Sequence, residues 1–269
     1  MSVEIPEFNT RKELFNFLHT NKDKLIAQKK SVTKEADGFA FVQIPTIQKY
    51  GANKMDGTPI DVNVSEIMVK AIINTTNIMD SHYDVHLPGL WKKTLKENKM
   101  IMHVQEHRSY MFDKIISDGE DLKVYTNSYN WSDLGFNAQG KTEALVFDSV
   151  VKKSRNPFMF DQYRDKYVRN HSVGMRYVKI VMCINDEEYG AEYEAWEKYF
   201  PEVINKEFAE EKGFFWAIKE AKVVEGSAVP LGSNSITPTY STEAVKTLPN
   251  KKEEAAKALR ETQVQFYLN

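Results

Sequence analysis

The sequence predicts an α+β protein, because long strand-like runs are combined with stretches of helical periodicity. Residues 167–184 are rich in Val, Ile, Met and Tyr with few breakers, which is typical of a buried β-strand. Residues 214–224 show the same pattern, whereas residues 10–29 carry apolar side chains at helical spacing. A chain of 269 residues with 42% hydrophobic side chains is long enough to bury a substantial core.

Composition and charge exclude several classes of function. The net charge of -2 gives no electrostatic case for a nucleic-acid partner. Cys183 is the single cysteine, which fits a reducing compartment, and we expect it to be a buried small hydrophobe. No apolar run approaches about 18 residues, and the N-terminus lacks a basic and then apolar leader. We therefore expect a cytosolic protein without a membrane partner or a cofactor.

The N-terminal part predicts an amphipathic helix followed by a linker. Thr10 and Glu13 have the spacing of a capping box, in which each side chain satisfies a backbone amide at the helix start. The apolar stripe that follows extends the predicted helix over residues 10–29. Residues 31–38 are polar and contain breakers, and a strand pattern begins at Phe39.

A strand is predicted within residues 60–75, followed by a polar turn and then a helix over residues 90–98. The turn contains four side chains that are able to bind metals, namely Asp80, His82, Asp84 and His86. Their spacing matches no ligand set with a physical rationale. We therefore expect solvated turn residues and no metal here.

Residues 103–107 contain an H-x-x-E-H string formed by His103, Glu106 and His107. In a zinc peptidase this string lies on a helix, so that both imidazoles share one face around the ion. The short apolar run before it instead predicts a strand that ends near His107, followed by a turn and further strand character over residues 112–125. The zinc peptidase remains an alternative.

Four further segments connect these elements. Residues 129–140 resemble a loop, and residues 143–151 resemble a strand or a short helix. A helix is predicted from about Asp161 to residue 167. Residues 186–213, rich in Glu, Tyr, Trp and Lys, indicate a helical insertion broken at Pro201. The insertion is either a solvated face or a surface for a partner.

Ser172 is a candidate nucleophile, because Gly174 follows it inside a strand. Glycine weakens a strand interior and often marks the close approach of another group. The alternative is an ordinary strand serine bonded to a neighbouring carbonyl. His171 is a second candidate base, but adjacent strand residues point to opposite faces.

Glu225 follows the strand of residues 214–224 at a Gly-Ser step and precedes a loop rich in Pro, Gly and Asn. Together, Ser172, His107 and Glu225 supply an alcohol, a base that accepts its proton, and a carboxylate that orients the base. The alternative for Glu225 is an ordinary surface carboxylate. Periodicity does not establish that the three side chains meet.

Several motifs resemble those of the tailed-phage prohead maturation proteases, which are relatives of the herpesvirus assemblins. They are Asp80-x-x-x-Asp84-Val-x-x-Pro-Gly, Gln105-Glu-His107, His171-Ser172-Val-Gly-Met and Glu225-Gly-Ser-Ala-Val-Pro-x-x-Ser-Asn. The resemblance covers residues 75–238 and implies His107, Ser172 and Glu225 as the catalytic set. It also implies a closed, mostly antiparallel β-barrel surrounded by helices, with oxyanion donors near residues 231–233.

The resemblance implies a serine endopeptidase inside an assembling phage head, in the host cytoplasm. Its substrates would be scaffolding protein, the major capsid protein and its own termini, and a homo-oligomer is expected. We assign residues 1–35 to a helix and linker, 36–238 to the protease domain with its insertion at 186–213, and 239–269 to a C-terminal linker and helix removed by self-cleavage. A non-catalytic capsid assembly protein on the same fold remains an alternative.

Overall fold

The computed structural model describes residues 5–31, 60–61, 63–98 and 100–245. Its helices are α1 (Arg11–Thr20), α2 (Lys22–Ser31), α3 (Lys92–Glu97), α4 (Pro157–Arg164), α5 (Ala191–Tyr199) and α6 (Lys206–Lys212). Its strands are β1 (Glu66–Thr75), β2 (Asp84–His86), β3 (Met102–Gln105), β4 (Ile115–Ser117), β5 (Leu122–Asn130), β6 (Lys141–Lys152), β7 (Asn170–Ile184), β8 (Phe214–Val229) and β9 (Thr239–Ala244).

The first sheet is antiparallel and has the strand order β5-β6-β1-β9. Its central strands β1 and β6 are rich in β-branched and aromatic residues and are largely buried. The edge strand β5 is mostly exposed or partly exposed, with Tyr129 as its buried residue, as expected at the edge of a sheet.

The second sheet is mixed and is built around the long strand β8. One edge of β8 pairs with β7 in antiparallel orientation along almost its whole length. The other edge pairs in parallel with β2 over residues 216–218 and with β3 over residues 225–228. The short strand β4 then pairs with β3 and completes a five-stranded sheet.

The closed, mostly antiparallel barrel implied by the resemblance is wrong. The fold is α+β with two separate sheets, and no strand pairing within the described part of the chain joins one sheet to the other. Two strands, β2 and β3, also run parallel to β8, so the second sheet is mixed. Sequence motifs identify local segments, whereas barrel closure depends on which distant strands pair.

The N-terminal residues form two helices, not the single helix predicted over residues 10–29. The predicted capping box is confirmed, with Thr10 and Glu13 bonding to each other's backbone amides. The first helix ends because the Asn21 side chain donates to the carbonyl of Phe17. Both helices pack on the main core through buried apolar side chains, namely Phe15, Leu18 and Leu25.

The insertion of residues 186–213 is helical, as predicted, and contains α5 and α6. Its acidic residues contact the N-terminal helices: Glu188 pairs with Lys12 and the buried Glu192 pairs with Lys22. Arg11 donates to two carbonyls at the C-terminal end of α6. The partner of this acidic surface therefore includes the N-terminal part of the same chain.

One domain boundary differs from the prediction. The C-terminal linker was predicted to begin at residue 239, but residues 239–244 form β9 and pair with β1, so they belong to the main domain. The strand pattern at Phe39 and the predicted C-terminal helix lie outside the described residues. No helix within the described ranges has the length and apolar character needed to cross a bilayer.

Candidate active site

The candidate site lies where β3, β8 and β7 run side by side. Gln105, at the end of β3, is level with Ala228 of β8, which is in turn opposite His171 of β7. The chain then turns sharply, because Glu106 and His107 both adopt the left-handed conformation with φ of 53° and 59°. Two consecutive non-glycine residues in this region are uncommon, and such strain concentrates at functional sites.

His107 and Glu225 form a direct, buried contact. Nδ1 of His107 lies 2.6 Å from Oε1 of Glu225, and the two residues are 9% and 3% exposed. A carboxylate only accepts hydrogen bonds, so Nδ1 carries the proton. This tautomer leaves Nε2 as the basic nitrogen. The structure thus shows the base and carboxylate of the predicted set in contact.

Ser227 fixes both members of this pair. Its hydroxyl donates to Oε2 of Glu225 at 2.8 Å and accepts the backbone N–H of His107 at 2.8 Å. The Glu225 carboxylate is therefore held on both oxygens, and the strained turn at His107 is tied to β8. Ser227 was not predicted from the sequence, although its position two residues after Glu225 on a strand puts both side chains on one face.

Ser172 lies on the same face of the sheet as this cluster. It is the register partner of Ser227 across β7 and β8, and paired side chains of an antiparallel ladder point to the same side. The Cβ atoms of such a pair are roughly 5 Å apart. Since Ser227 touches both His107 and Glu225, the Ser172 side chain borders the cluster, and it is 5% exposed.

Gly174 provides the space for the carboxylate. It is paired with Glu225, and a Cβ atom added at Gly174 would lie 2.0 Å from Oε1 of Glu225. The close approach that the sequence predicted at this glycine is thus the approach of a carboxylate. The pairing is also irregular directly after Gly174, where the register with β8 shifts. Such bulges are frequent beside active sites.

The predicted end of the last strand was too early. The sequence predicted that the strand ends at residue 224, but β8 continues to Val229 and includes Glu225 and Ser227. The Gly-Ser step does not break the strand, because Gly226 accommodates the Phe147 ring, which an added Cβ would meet at 2.4 Å. Glu225 is therefore a buried strand residue and not a surface carboxylate.

His171 points away from Ser172 and is bonded on both ring nitrogens. Its Nδ1 donates to the carbonyl of Thr237 at 3.0 Å, and its Nε2 lies 3.0 Å from the Tyr163 hydroxyl. Burial lowers the pKa of His171 to about 4. This geometry supports His107 over His171 as the base next to Ser172.

The geometry gives the zinc alternative no support. His103 lies on a strand, where its Nδ1 is 2.9 Å from the Ser149 hydroxyl and its Nε2 is 3.0 Å from the Tyr163 hydroxyl. His107 instead faces Glu225. Among the described residues, no three His, Cys, Asp or Glu side chains form a group suited to a metal ion.

Asp80, Asp84 and His86 are buried, so the prediction of solvated side chains is wrong for these three residues, whereas His82 is partly exposed. Asp80 accepts the backbone amides of His82 and Asp84, which closes the turn. Asp84 is fully buried and forms an ion pair with Lys29 of α2 at 2.6 Å. Tyr177 of β7 also donates its hydroxyl to Asp84. Asp84 therefore links α2 to the second sheet, and Asp80 stabilises the turn.

The comparisons identify no relative: no family model, no curated protein and no solved structure matches this chain.

Proposed function

We propose that this protein is a serine endopeptidase in which Ser172 is the nucleophile, His107 the base and Glu225 the orienting carboxylate. The observation that carries the proposal is the buried His107–Glu225 contact of 2.6 Å, bordered by Ser172 on the same face of the sheet. A buried histidine–carboxylate contact next to a serine is the combination that serine hydrolases use on unrelated folds, and it supports the proposal.

The proposed reaction has two steps that use the same three groups. Nε2 of His107 accepts the Ser172 proton while the serine oxygen attacks a peptide carbonyl, and the imidazolium is stabilised by Glu225. The imidazolium then protonates the leaving amine, and the C–N bond breaks to give an acyl-enzyme. His107 then deprotonates a water molecule, whose oxygen attacks the ester carbonyl. The imidazolium gives its proton to the Ser172 oxygen as the C–O bond of the acyl-enzyme breaks.

The tetrahedral intermediate needs hydrogen-bond donors for its oxyanion. The resemblance suggests backbone amides of residues 231–233, which follow β8 directly. Gly232 packs closely against the backbone of His171. A Cβ atom added at Gly232 would lie only 2.6 Å from the His171 carbonyl oxygen. The segment therefore adjoins the strand that carries Ser172, which supports this assignment.

Exposed apolar side chains near the site favour a polypeptide substrate. Tyr110 and Phe112, 81% and 93% exposed, follow β3 closely, and Leu231, 65% exposed, follows β8. Because β3 and β8 are parallel, both chain segments leave the sheet at the same end, beside His107. Large exposed apolar side chains beside a polar site are typical of binding surfaces.

The biological role that we propose rests on the resemblance alone. The substrates are scaffolding protein, the major capsid protein and the termini of this chain, cleaved within an assembling phage head. Self-cleavage is expected in the segment that follows β9. If the protein has no peptidase activity, the alternative is a non-catalytic capsid assembly protein.

The test compares the full-length wild type with Ser172→Ala and with Ser128→Ala, an exposed serine on β5 of the other sheet. Intact mass measures self-cleavage, and a fluorophosphonate probe followed by peptide mapping identifies the reactive serine. We expect fragments and labelled Ser172 in the wild type and in Ser128→Ala, and neither in Ser172→Ala. Fragments that persist in Ser172→Ala, or a wild type without fragments and without label, would refute the proposed function.

A further inference from the structure

The buried side of the sheet, behind Ser172, contains a chain of hydrogen bonds that the proposed mechanism does not use. It links Ser117, Ser149, His103, Tyr163, His171 and Thr237. These residues come from β4, β6, β3, α4, β7 and the segment after β8, so the chain connects both sheets with the region of the candidate site.

The donor and acceptor of every hydrogen bond in this network follow from the Thr237 carbonyl at its end. The Thr237 carbonyl only accepts, so Nδ1 of His171 donates and its Nε2, in a neutral ring, accepts from the Tyr163 hydroxyl. The Tyr163 oxygen must then accept from Nε2 of His103.

The hydrogen bonds at the other end of the network, from His103 to Ser117, are assigned in the same way. Nδ1 of His103 accepts from the Ser149 hydroxyl, which accepts from Ser117. One arrangement thus satisfies every ring nitrogen, provided that both imidazoles are neutral. Burial, together with the proximity of His171, lowers the pKa of His103 well below its ordinary value, and burial lowers that of His171.

Thr237 holds the backbone of His171 as well as its ring. The backbone N–H of His171 donates to the Thr237 carbonyl at 3.0 Å, and the Thr237 hydroxyl donates to the His171 carbonyl at 2.7 Å. Gly232 packs against that same carbonyl. His171, directly before Ser172, is therefore hydrogen-bonded to Thr237 and packed against Gly232. Residues 231–233 of the same segment were suggested above to supply the oxyanion donors.

We propose that His171 is a positioning residue: held by Tyr163 and Thr237, it sets the Ser172 backbone relative to the segment of residues 231–237. This inference rests on the proposed function. The nucleophile and the oxyanion donors lie on different segments, and an error of about 1 Å in their separation is enough to lower a rate roughly 100-fold. A fixed ring between the two segments removes that freedom.

The first test is Tyr163→Phe, which removes one hydroxyl and keeps the ring. Tyr189→Phe is the matched control, because Tyr189 is also buried and its hydroxyl donates to Asn16 in a region formed by α1 and the insertion. We expect kcat of Tyr163→Phe to fall roughly 10-fold or more, with KM within about twofold of the wild type. Tyr189→Phe should keep both values.

A histidine titration separates positioning from general loss of stability. Tyr163→Phe removes the donor that favours the neutral His171 ring, so the pKa of His171 should rise in this variant. The titratable groups that contact His171 are Tyr163 and, through it, His103, and no carboxylate or Lys or Arg side chain in the described chain bonds to either imidazole. NMR of the histidine rings measures this titration directly, and Tyr189→Phe should leave it unchanged.

If Tyr163→Phe does not fold, Thr237→Val and Thr237→Ser test the contacts of His171 with Thr237 instead. Thr237→Val removes the hydroxyl bonded to the His171 carbonyl, and Thr237→Ser keeps it, so kcat should fall in the first and recover in the second. A kcat within twofold of the wild type in both Tyr163→Phe and Thr237→Val would refute the positioning role alone. A wild type without Ser172-dependent cleavage would refute the proposed function and this inference together.

Discussion

His107 and Glu225 lie 118 positions apart in the sequence, and their side chains meet at 2.6 Å inside the protein. The contact exists because β3 runs parallel to β8 and ends at Gln105, and the turn that follows contains His107. Ser227 then bonds to both residues. This geometry makes the roles of individual atoms testable.

Glu225→Gln tests the orienting carboxylate. Glutamine has nearly the same shape but no charge, so it no longer stabilises the imidazolium and is free to present its amide to Nδ1, which selects the wrong tautomer. We expect kcat to fall by roughly 10²- to 10⁴-fold with little change in KM. Peptidase kinetics measure the effect.

Glu220→Gln is the control for this change, because Glu220 lies on the same strand but pairs with Lys179 and Lys93. It should keep wild-type kinetics. Equal activity of Glu225→Gln and the wild type would contradict the assigned role of Glu225.

Ser227→Ala tests the residue that the sequence did not predict. The substitution leaves the His107 amide without its acceptor and frees one oxygen of Glu225. We expect a loss of about 1–3 kcal/mol in the free energy of unfolding, because buried polar groups lose their partners. Urea denaturation measures this loss, and kcat should fall roughly 10-fold. Ser128→Ala, at an exposed position, should change neither quantity, and a similarly neutral Ser227→Ala would argue against the role of Ser227.

Gly174→Ala tests the packing of the carboxylate. The added methyl group would lie 2.0 Å from Oε1 of Glu225, so either the side chain or the strand must move. We expect about 1–3 kcal/mol of destabilisation. Adding Glu225→Asp, whose shorter side chain withdraws the carboxylate, should recover part of this loss in a double-mutant cycle. Additive free energies would show that the two residues are not in contact.

His103 and His171, both fully buried, predict sensitivity to acid. Burial lowers the pKa of His171 to about 4, below its ordinary 6.5, so the unfolded state binds the proton first as the pH falls. The stabilising contribution is complete above about pH 6.5 and is lost as the pH falls towards 4, at about 1.4 kcal/mol per pH unit. The shift of His103 acts in the same direction.

Urea denaturation between pH 7.5 and pH 4.5, as a rough working range, measures this slope. His171→Gln cannot titrate and should show a smaller slope over the same interval, whatever its absolute stability. Identical slopes for the variant and the wild type would show that His171 does not titrate in this way.

Lys29→Met tests the docking of the N-terminal helices. Lys29 is buried against Asp84 and lies over the rings of Tyr177 and Trp216, at 5.7 Å and 5.2 Å from their centroids. Its removal leaves a buried carboxylate without its cation, so we expect a loss of about 3–5 kcal/mol in the free energy of unfolding. Lys12→Met, which removes an exposed ion pair with Glu188, should cost less than about 1 kcal/mol. Equal losses of unfolding free energy in the two variants would contradict the assigned role of the Lys29–Asp84 ion pair.

The sequence predicted the local elements from periodicity. Residues 167–184 were predicted to be a strand and form β7 from Asn170 to Ile184, and the capping box at Thr10 is present. Gly174 was identified as a point of close approach, and that approach is made by Glu225. The strand and the capping box depend on side chains that are near each other in the chain, so the sequence alone contains their signal. At Gly174 the sequence indicated a close approach but not the group that makes it.

Only the tertiary structure decided how the strands pair. The barrel was wrong because β2 and β3 share one edge of β8 in parallel orientation, and nothing in their periodicity encodes that choice. Likewise, Tyr163 and Thr237 have no signal of their own, since their partners come from distant segments, and the spacing of Ser227 from Glu225 does not indicate its bond to His107. By itself the sequence identified an alcohol, an imidazole and a carboxylate as a candidate catalytic set. The long-range packing determined which of them touch, because contacts between distant segments follow from pairing and burial that no local pattern specifies.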